Sequence, residues 1–353
     1  MNRIHIGQNK YVGKDDPCLI MLDAGVNHNN NPDRALELVK ATAKTGADVV
    51  KFQTYKASAI TTKKAPRYWN PKLDTDSGGT QYDTFARIDD LPLEAYADMK
   101  VLAEELGIVF SSTPFNLDDV YFLAELGMDV FKISSSDLVY HDLIRETAKT
   151  GMPVILSTGL ASIREMEEAV EVILKENNSD IILQHCILSY PCEDEDANLV
   201  KMKEMQTIFS DIPIGYSDHT YGDAIPTAAV AMGAKTIEKH FTLDKSLPDS
   251  PDHGFALDTE ETKHMVDRIR RTEKGFGIFV DGYYKAEEKA YSFARKSLTS
   301  RVSISKGEVI TREMLTAKRP GTGIPPNQIN EIAGMKAIID IEEDETIMMD
   351  MIS

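Results

Sequence analysis

The sequence predicts an α/β protein: a closed (β/α)8 TIM barrel followed by a small second domain. Two observations carry this. Between residues 18 and 242, eight short apolar, β-branched runs alternate with longer segments of helical periodicity, the pattern of repeated βα units around a parallel sheet. From about residue 292 the alternation stops, and short strand-and-turn patterns continue to residue 353.

In chain order, the opening "NRIHIGQNKYVG" alternates apolar and polar residues around "GQN", which predicts a hairpin closing the barrel's bottom. The strand runs follow as "CLIMLDAG", "ADVVKFQT", "GIVFSST", "MDVFKISSS", "PVILSTG", "DIILQHC", "IPIGYSD" and "KTIEKHFT". Between them, segments such as "PDRALELVKATAKTGA" and "IREMEEAVEVILKENN" place apolar residues at three- and four-residue steps, as a helix packing on a barrel requires. The insertion "KKAPRYWNPKLDTDSGGTQYDTF" after the second unit is rich in Pro, Gly and Asp and holds the single tryptophan. Long loops on the catalytic side of a barrel carry substrate contacts, although this one also reads as a plain surface loop. The boundaries expected are a barrel over 1–280, a linker over 281–291 and a small domain over 292–353.

The bulk composition narrows the function. A formal charge of −18 disfavours nonspecific binding to nucleic acid or anionic membrane, while leaving open an anionic small substrate held in a local basic cleft. No run approaches the ~20 apolar residues of a membrane helix, and the N-terminus has no apolar leader. Three scattered cysteines, Cys18, Cys186 and Cys192, argue for a reducing, cytoplasmic setting.

Every strand run ends in polar residues: Asp23, Gln53 and Thr54, Ser112 and Thr113, Ser134 to Ser136, Ser157 and Thr158, His185, Ser217 and Asp218, and His240. In a parallel barrel these ends gather on the C-terminal rim, where such enzymes place their chemistry. His219 and His240 follow or end adjacent strands, so two imidazoles can share one divalent ion and leave positions for water and a substrate carbonyl. Two histidines bonded to neighbouring carboxylates would give the same spacing. Glu238, two residues before His240, shares its side of the strand and is a candidate ligand, orienting acceptor or substrate contact.

Lys51 and Lys132 lie inside strands, and a barrel has no edge strand to expose them. Inward lysines need an anion, and with the hydroxyls of Thr113, Ser135 and Ser157 they make a site for a phosphate and a carboxylate. A Schiff-base lysine of the aldolase type is the competing reading. Walker loops, dinucleotide fingerprints and nucleophile elbows are absent from the sequence.

Ten motifs in order, "GVNHNN", "VKFQTY", "SSTPF", "KISSSD", "LSTG", "HCILSYP", "GYSDHT", "IEKHFTLDK", "PDH" and "KRPGTGIPP", give the chain a full-length resemblance to the N-acetylneuraminate (sialic acid) synthases and their legionaminic- and pseudaminic-acid relatives. The resemblance implies a barrel with a C-terminal antifreeze-like (SAF) domain, and a domain-swapped homodimer in which the tail of one subunit caps the other's site. It implies condensation of phosphoenolpyruvate with an open-chain 2-acetamido sugar aldehyde, with release of phosphate by C–O cleavage, and it makes manganese the metal on His219 and His240. Residue by residue, it puts phosphoenolpyruvate on Lys51, Thr113, Lys132, Ser135 and Ser157. The sugar falls on Gln53, Phe115, Tyr190, Asp252 and, from across the dimer, Arg319. Asp23, Asp137 and Glu238 complete the catalytic set.

Three positions depart from the family pattern. Asp23 replaces a Glu, and its shorter reach calls for a water or a shifted loop. Leu188 replaces a hydroxyl or amide near the phosphate, and Asn31 replaces a Gly. A metal-free Schiff-base lyase, or a barrel that lost its activity and kept a carbohydrate-binding tail, are the readings from other classes. The second predicts missing catalytic residues, yet His219, His240, Lys51 and Lys132 are all present.

Overall fold

A computed structural model describes residues 2–73 and 78–353. Positions 74–77 of the long insertion, where substrate contacts were expected, lie outside the described residues. The chain divides into two compact units that meet at Phe276 and Gly277.

The first unit opens with the predicted hairpin, β1 (Ile4–Gly7) and β2 (Lys10–Val12). Gln8 and Asn9 at its tip both take left-handed backbone angles, as a tight two-residue turn demands. Eight parallel strands then close a barrel, each pairing with its neighbour in chain order and the last with the first. They are β3 (Leu19–Gly25), β4 (Val49–Thr54), β5 (Val109–Pro114), β6 (Phe131–Ile133), β7 (Val154–Ser157), β8 (Ile181–Cys186), β9 (Ile214–Asp218) and β10 (Thr236–His240). An outer helix follows each: α1 (Pro32–Thr45), α2 (Leu93–Glu105), α3 (Leu117–Glu125), α4 (His141–Lys149), α5 (Ile163–Lys175), α6 (Val200–Ile208), α7 (Ala224–Ala231) and α8 (Thr259–Gly275). Among the described residues no helix is long and apolar enough to cross a membrane.

Strand parity divides the barrel into two faces. Ile20, Leu22, Val50, Phe52, Phe110, Phe131, Leu156 and Ile237 point outward into the core beneath the helices. Leu19, Met21, Val49, Val109, Val130, Ile155 and Ile182 point inward and form one cluster with Ile4, Ile6 and Val12 of the hairpin, which plugs the lower end. Above this apolar floor the lumen turns polar. Gln184 donates to Thr236 Oγ1 at 3.0 Å, and Ser157 donates to Gln184 Oε1 at 3.4 Å. Gly215 is required at this level, since a Cβ there would sit 1.9 Å from Thr236 Oγ1.

The expectation that all the polar strand ends contribute to one reactive face is corrected by the same parity. Thr54 and Ser112 bond one another at 2.7 Å, and Thr158 donates to the Gln184 carbonyl at 3.0 Å. His185 is tied through Nε2 to the Ala197 carbonyl at 2.8 Å, and Asp218 pairs with Lys239 at 2.6 Å. All five leave the lumen, because each is one residue out of step with an inward neighbour.

The second unit holds an antiparallel pair, β11 (Ser297–Ser300) and β12 (Leu315–Lys318), around a small core that includes Leu298, Ile304, Ile310, Ile324, Ile341 and Ile347. Ahead of it, Phe276, Ile278, Phe279 and Phe293 are exposed.

Candidate active site

The inward residues at the upper ends of the strands form a buried cluster of alternating charge. Lys51 Nζ lies 2.7 Å from Asp23 Oδ1 and 3.7 Å from Glu238 Oε1. Lys132 Nζ lies 3.5 Å from Glu238 Oε2 and donates to Ser157 Oγ at 2.7 Å. Lys51 also donates to Thr113 Oγ1 at 3.4 Å. Asp23 therefore reaches Lys51 directly, and the register of β3 against β4 shifts just after it, between Asp23 and Gly25.

Burial works against the charge on both lysines, with different outcomes. For Lys51 the neighbouring Asp23 and Glu238 outweigh burial and raise its pKa above the ordinary lysine value. For Lys132 burial wins, despite Glu238, and its pKa is lowered. Lys132 therefore gains most from an incoming anion, which would restore the stability of its charge. Burial likewise opposes ionisation of Asp23, but Lys51, His240 and Lys132 hold its carboxyl below the usual range.

Ser135 follows β6 in a short 3-10 turn, and its Oγ accepts from the Gly159 backbone N–H at 2.9 Å. A Cβ at Gly159 would approach that oxygen to 2.8 Å, so glycine is needed for the contact. Asp137, in the same turn, is pushed up to about 6 by burial, against the opposing pull of the Ser136 hydroxyl and Lys132.

The two imidazole centres are 5.3 Å apart, with the Tyr190 ring 4.2 Å from His219 and 6.1 Å from His240. His219 Nδ1 lies 2.7 Å from the Ile187 carbonyl, which can only accept, so Nδ1–H donates to it and Nε2 is left to face the site. Cys186 Sγ is also near that Nδ1, at 3.9 Å, but the shorter carbonyl contact decides the tautomer. His240 has Asp23 Oδ2 3.7 Å from Nε2 and Asp252 Oδ2 3.2 Å from Nδ1, the latter close but off the line of a ring N–H. Burial disfavours the His240 cation, yet Asp252 and Asp23 prevail and raise its pKa. Two imidazoles with a carboxylate beside them, in a spot that favours positive charge, fit a divalent ion, with imidazole and carboxylate as its donors. Among the described residues no group of three or more His, Cys, Asp or Glu side chains gathers around one metal position, so water and reactant would have to supply ligands beyond the histidines.

The sugar-side candidates are less concentrated. Gln53 Nε2 donates to Asp23 Oδ2 at 3.4 Å, which joins it to the charged cluster. Phe115 packs edge-on to Tyr55 with ring centres 5.6 Å apart. Leu188 is half-buried and brings no polar group. Arg319 belongs to the second unit, where it is exposed immediately after β12.

Several supporting residues were not singled out from the sequence. Asn27 donates to the Phe241 carbonyl at 2.9 Å, and Asn29 meets His253 Nε2 at 2.9 Å, so the "GVNHNN" and "PDH" loops are laced together beside Asp252. Gln184 and Cys186, on the same side of β8, share the lumen. Their signal was the two-residue period of the strand. Asn31, noted in the sequence as a departure from the family pattern, caps α1, accepting from Arg34 N at 3.0 Å ahead of Pro32.

The comparisons with known proteins agree with one another. The NeuB family model matches residues 38–280, and the SAF domain model matches residues 295–353. An uncharacterized protein of Methanocaldococcus jannaschii is 41% identical over 99% of this chain and 98% of its own length. The N,N'-diacetyllegionaminic acid synthase of Campylobacter jejuni is 38% identical over 93% of this chain and 98% of its own. The crystal structure of N-acetylneuraminic acid (sialic acid) synthetase from Leptospira borgpetersenii superposes with a TM-score of 0.71 at 30% identity, covering 82% of this chain and 94% of that one. With the barrel, the tail and these relatives in agreement, the chain belongs to the NeuB family of sialic-acid-type synthases.

Proposed function

We propose that this enzyme condenses phosphoenolpyruvate with an open-chain, unphosphorylated 2-acetamido sugar aldehyde to form a nine-carbon sialic-acid-type sugar, releasing inorganic phosphate. The observation that carries the reading is the pairing of two buried lumen lysines and their hydroxyl neighbours with two imidazoles at the same strand ends. Lys51, Lys132, Thr113, Ser135 and Ser157 would bind the phosphate and carboxylate, and their main contribution is positioning and electrostatic stabilisation. His219 and His240 would hold manganese, which when bound supplies Lewis acidity toward the aldehyde oxygen.

In the reaction, the enol carbon of phosphoenolpyruvate bonds to the aldehyde carbon, water adds at the pyruvyl C2, and the C2–O bond to phosphate breaks. Water must lose a proton and the new sugar hydroxyl must gain one. Asp137, poised at about 6, and the lysine-held Asp23 and Glu238 are the groups to hold and move them. Gln53, Phe115, Tyr190 and Asp252 would orient the sugar.

The exposed apolar segment around Ile278, Phe279 and Phe293 supports a homodimer, because monomers seldom leave such a surface uncovered. In the swapped arrangement Arg319 of one subunit would reach the sugar in the other. Unpaired, buried cysteines support a cytoplasmic setting. Among the described residues of the long loop, Arg67 donates to the Thr80 and Gly78 carbonyls and Lys63 lies over Tyr82, which supports an unphosphorylated sugar.

The test is phosphate release from phosphoenolpyruvate with manganese, offering N-acetylmannosamine, its 6-phosphate and diacetamido-dideoxy hexoses in turn, with a chelator control. Release with an unphosphorylated sugar that stops on chelation supports the proposal, and release with the 6-phosphate alone overturns the acceptor assignment. The lowered pKa of Lys132 favours a second reading, a Schiff base. Borohydride trapping of pyruvate on the metal-free chain would establish it in place of the first.

A further inference from the structure

The ion pair between Asp218 and Lys239 has no part in the reaction above, since parity turns both side chains away from the lumen. We infer that it is a positioning device that sets the spacing of His219 and His240, and with it the affinity of the site for a divalent cation. The inference rests on the metal role proposed for those two histidines.

Lys239 on β10 stands directly opposite Asp218 on β9, and the next residue on each side is one of the histidines. The pair is therefore the last rung beneath both imidazoles. Both side chains are fully buried, with Lys239 Nζ 2.6 Å from Asp218 Oδ2. The remaining capacity of the carboxylate is also used. Oδ1 accepts from Tyr216 Oη and from the Thr220 backbone N–H, each at 3.0 Å, and Oδ2 accepts from Thr220 Oγ1 at 3.1 Å. Lys239 donates in addition to the Thr220 carbonyl. One lysine on β10 thus grips the residues on both sides of His219.

His219 is held from the other directions by the Ile187 carbonyl on its ring and by Cys192 N, which donates to its backbone carbonyl at 2.9 Å. Where the β9–β10 backbone ladder ends, the Asp218–Lys239 rung is the side-chain link that refers this position to the strand carrying His240.

Stability alone is a poor reason for the pair to be there. Desolvating two opposite charges costs several kcal/mol per ion, and a well-packed apolar pair of similar volume is often as stable. The outward positions next along the two strands, Ile237, Phe241 and Tyr216, belong to the apolar core, so apolar side chains suit this face. What an apolar pair cannot supply is direction, which the network of bonds around Asp218 does.

The experiment replaces both partners, as Asp218→Leu with Lys239→Met, and titrates chelator-stripped full-length protein with Mn2+, following free ion by electron paramagnetic resonance and folding by calorimetry. The expected result is a melting temperature near that of the parent with Mn2+ affinity reduced about tenfold or more, the range seen when groups that orient metal ligands are lost. Parental Mn2+ affinity in the double variant overturns the inference. If that variant does not fold, Thr220→Val and Thr220→Ser take its place. The valine should weaken Mn2+ binding several-fold and the serine should restore it, and equal affinity in the two overturns the inference. His219→Ala and His240→Ala separate the failures. If they retain parental Mn2+ binding, the metal assignment falls and this inference with it, whereas if they lose Mn2+ while the Asp218 and Lys239 changes do not, only the inference falls.

Discussion

The lumen and the outer face of the same strands each bury lysines beside carboxylates, and they use them in opposite ways. Inside, Lys51 and Lys132 share Asp23 and Glu238 at 2.7 to 3.7 Å, an arrangement with polar capacity left over, including a Glu238 Oε2 without a hydrogen bond. Outside, the Asp218 carboxylate has all its acceptor positions filled, by Lys239, Tyr216 and Thr220, and Lys239 binds the Thr220 carbonyl as well. An unfinished cluster can take up a reactant, whereas a finished one can only hold its neighbours in place. Residue type and burial are alike on the two faces, and what differs is whether the hydrogen bonding is closed.

The comparison breaks most visibly if the outer lysine is lost alone. Lys239→Met leaves Asp218 a buried, unpaired charge and should cost about 3–5 kcal/mol of stability, read by urea unfolding. A change below about 1 kcal/mol would mean that the outer pair is not closed as described. Next in size, Lys51→Met and Lys132→Met should each lower turnover on the order of 10²–10³-fold, much more than they lower stability, because their work is electrostatic stabilisation of a reactant. Normal phosphate release in both variants would remove the lysines from the site.

Asp137 sharpens the picture through pH. Its folded pKa is raised to about 6, so between the ordinary carboxyl value near 4 and about 6 the native state holds more protons than the unfolded one. That contribution to stability is present at low pH, falls as pH rises through this window and is level above it. Asp137→Asn should therefore gain about 1–2 kcal/mol relative to the parent between pH ~4 and pH ~7, and a constant difference would refute the shift. Smallest of all, Asn31→Gly should cost only a few tenths of a kcal/mol and leave turnover unchanged, since glycine is a tolerable cap. A large loss of activity would make Asn31 more than a helix cap.

Much of this was legible in the sequence. The eight strand runs could be read because each is short, β-branched and followed by a helical period, and the hairpin because alternation flanks "GQN". Lys51, Lys132, Glu238 and the two histidines could be read because charge inside a barrel strand has few explanations. The grouping of His185, Asp218, Thr54, Ser112 and Thr158 with the reactive face failed because strand ends were counted without parity, and one residue's step sends a side chain to the opposite side. Asn31 carries a capping signal in the proline after it, since Asn before Pro is a common start of a helix. The loop ties from Asn27 and Asn29 depend on which loops become neighbours when the last strand meets the first, and that is fixed only by closure.

The plug of Ile4, Ile6 and Val12 has a kinetic consequence. With the floor sealed, the vessel has a single mouth, and whatever lies deeper must arrive earlier and depart later. Lys132 bonds Ser157, which bonds Gln184 and through it Thr236, four residues below His240 on β10, so in the proposed reaction an enol phosphate held by Lys132 would be first in the queue and the sugar second. The order of addition would then follow from the stopper at the opposite end of the barrel.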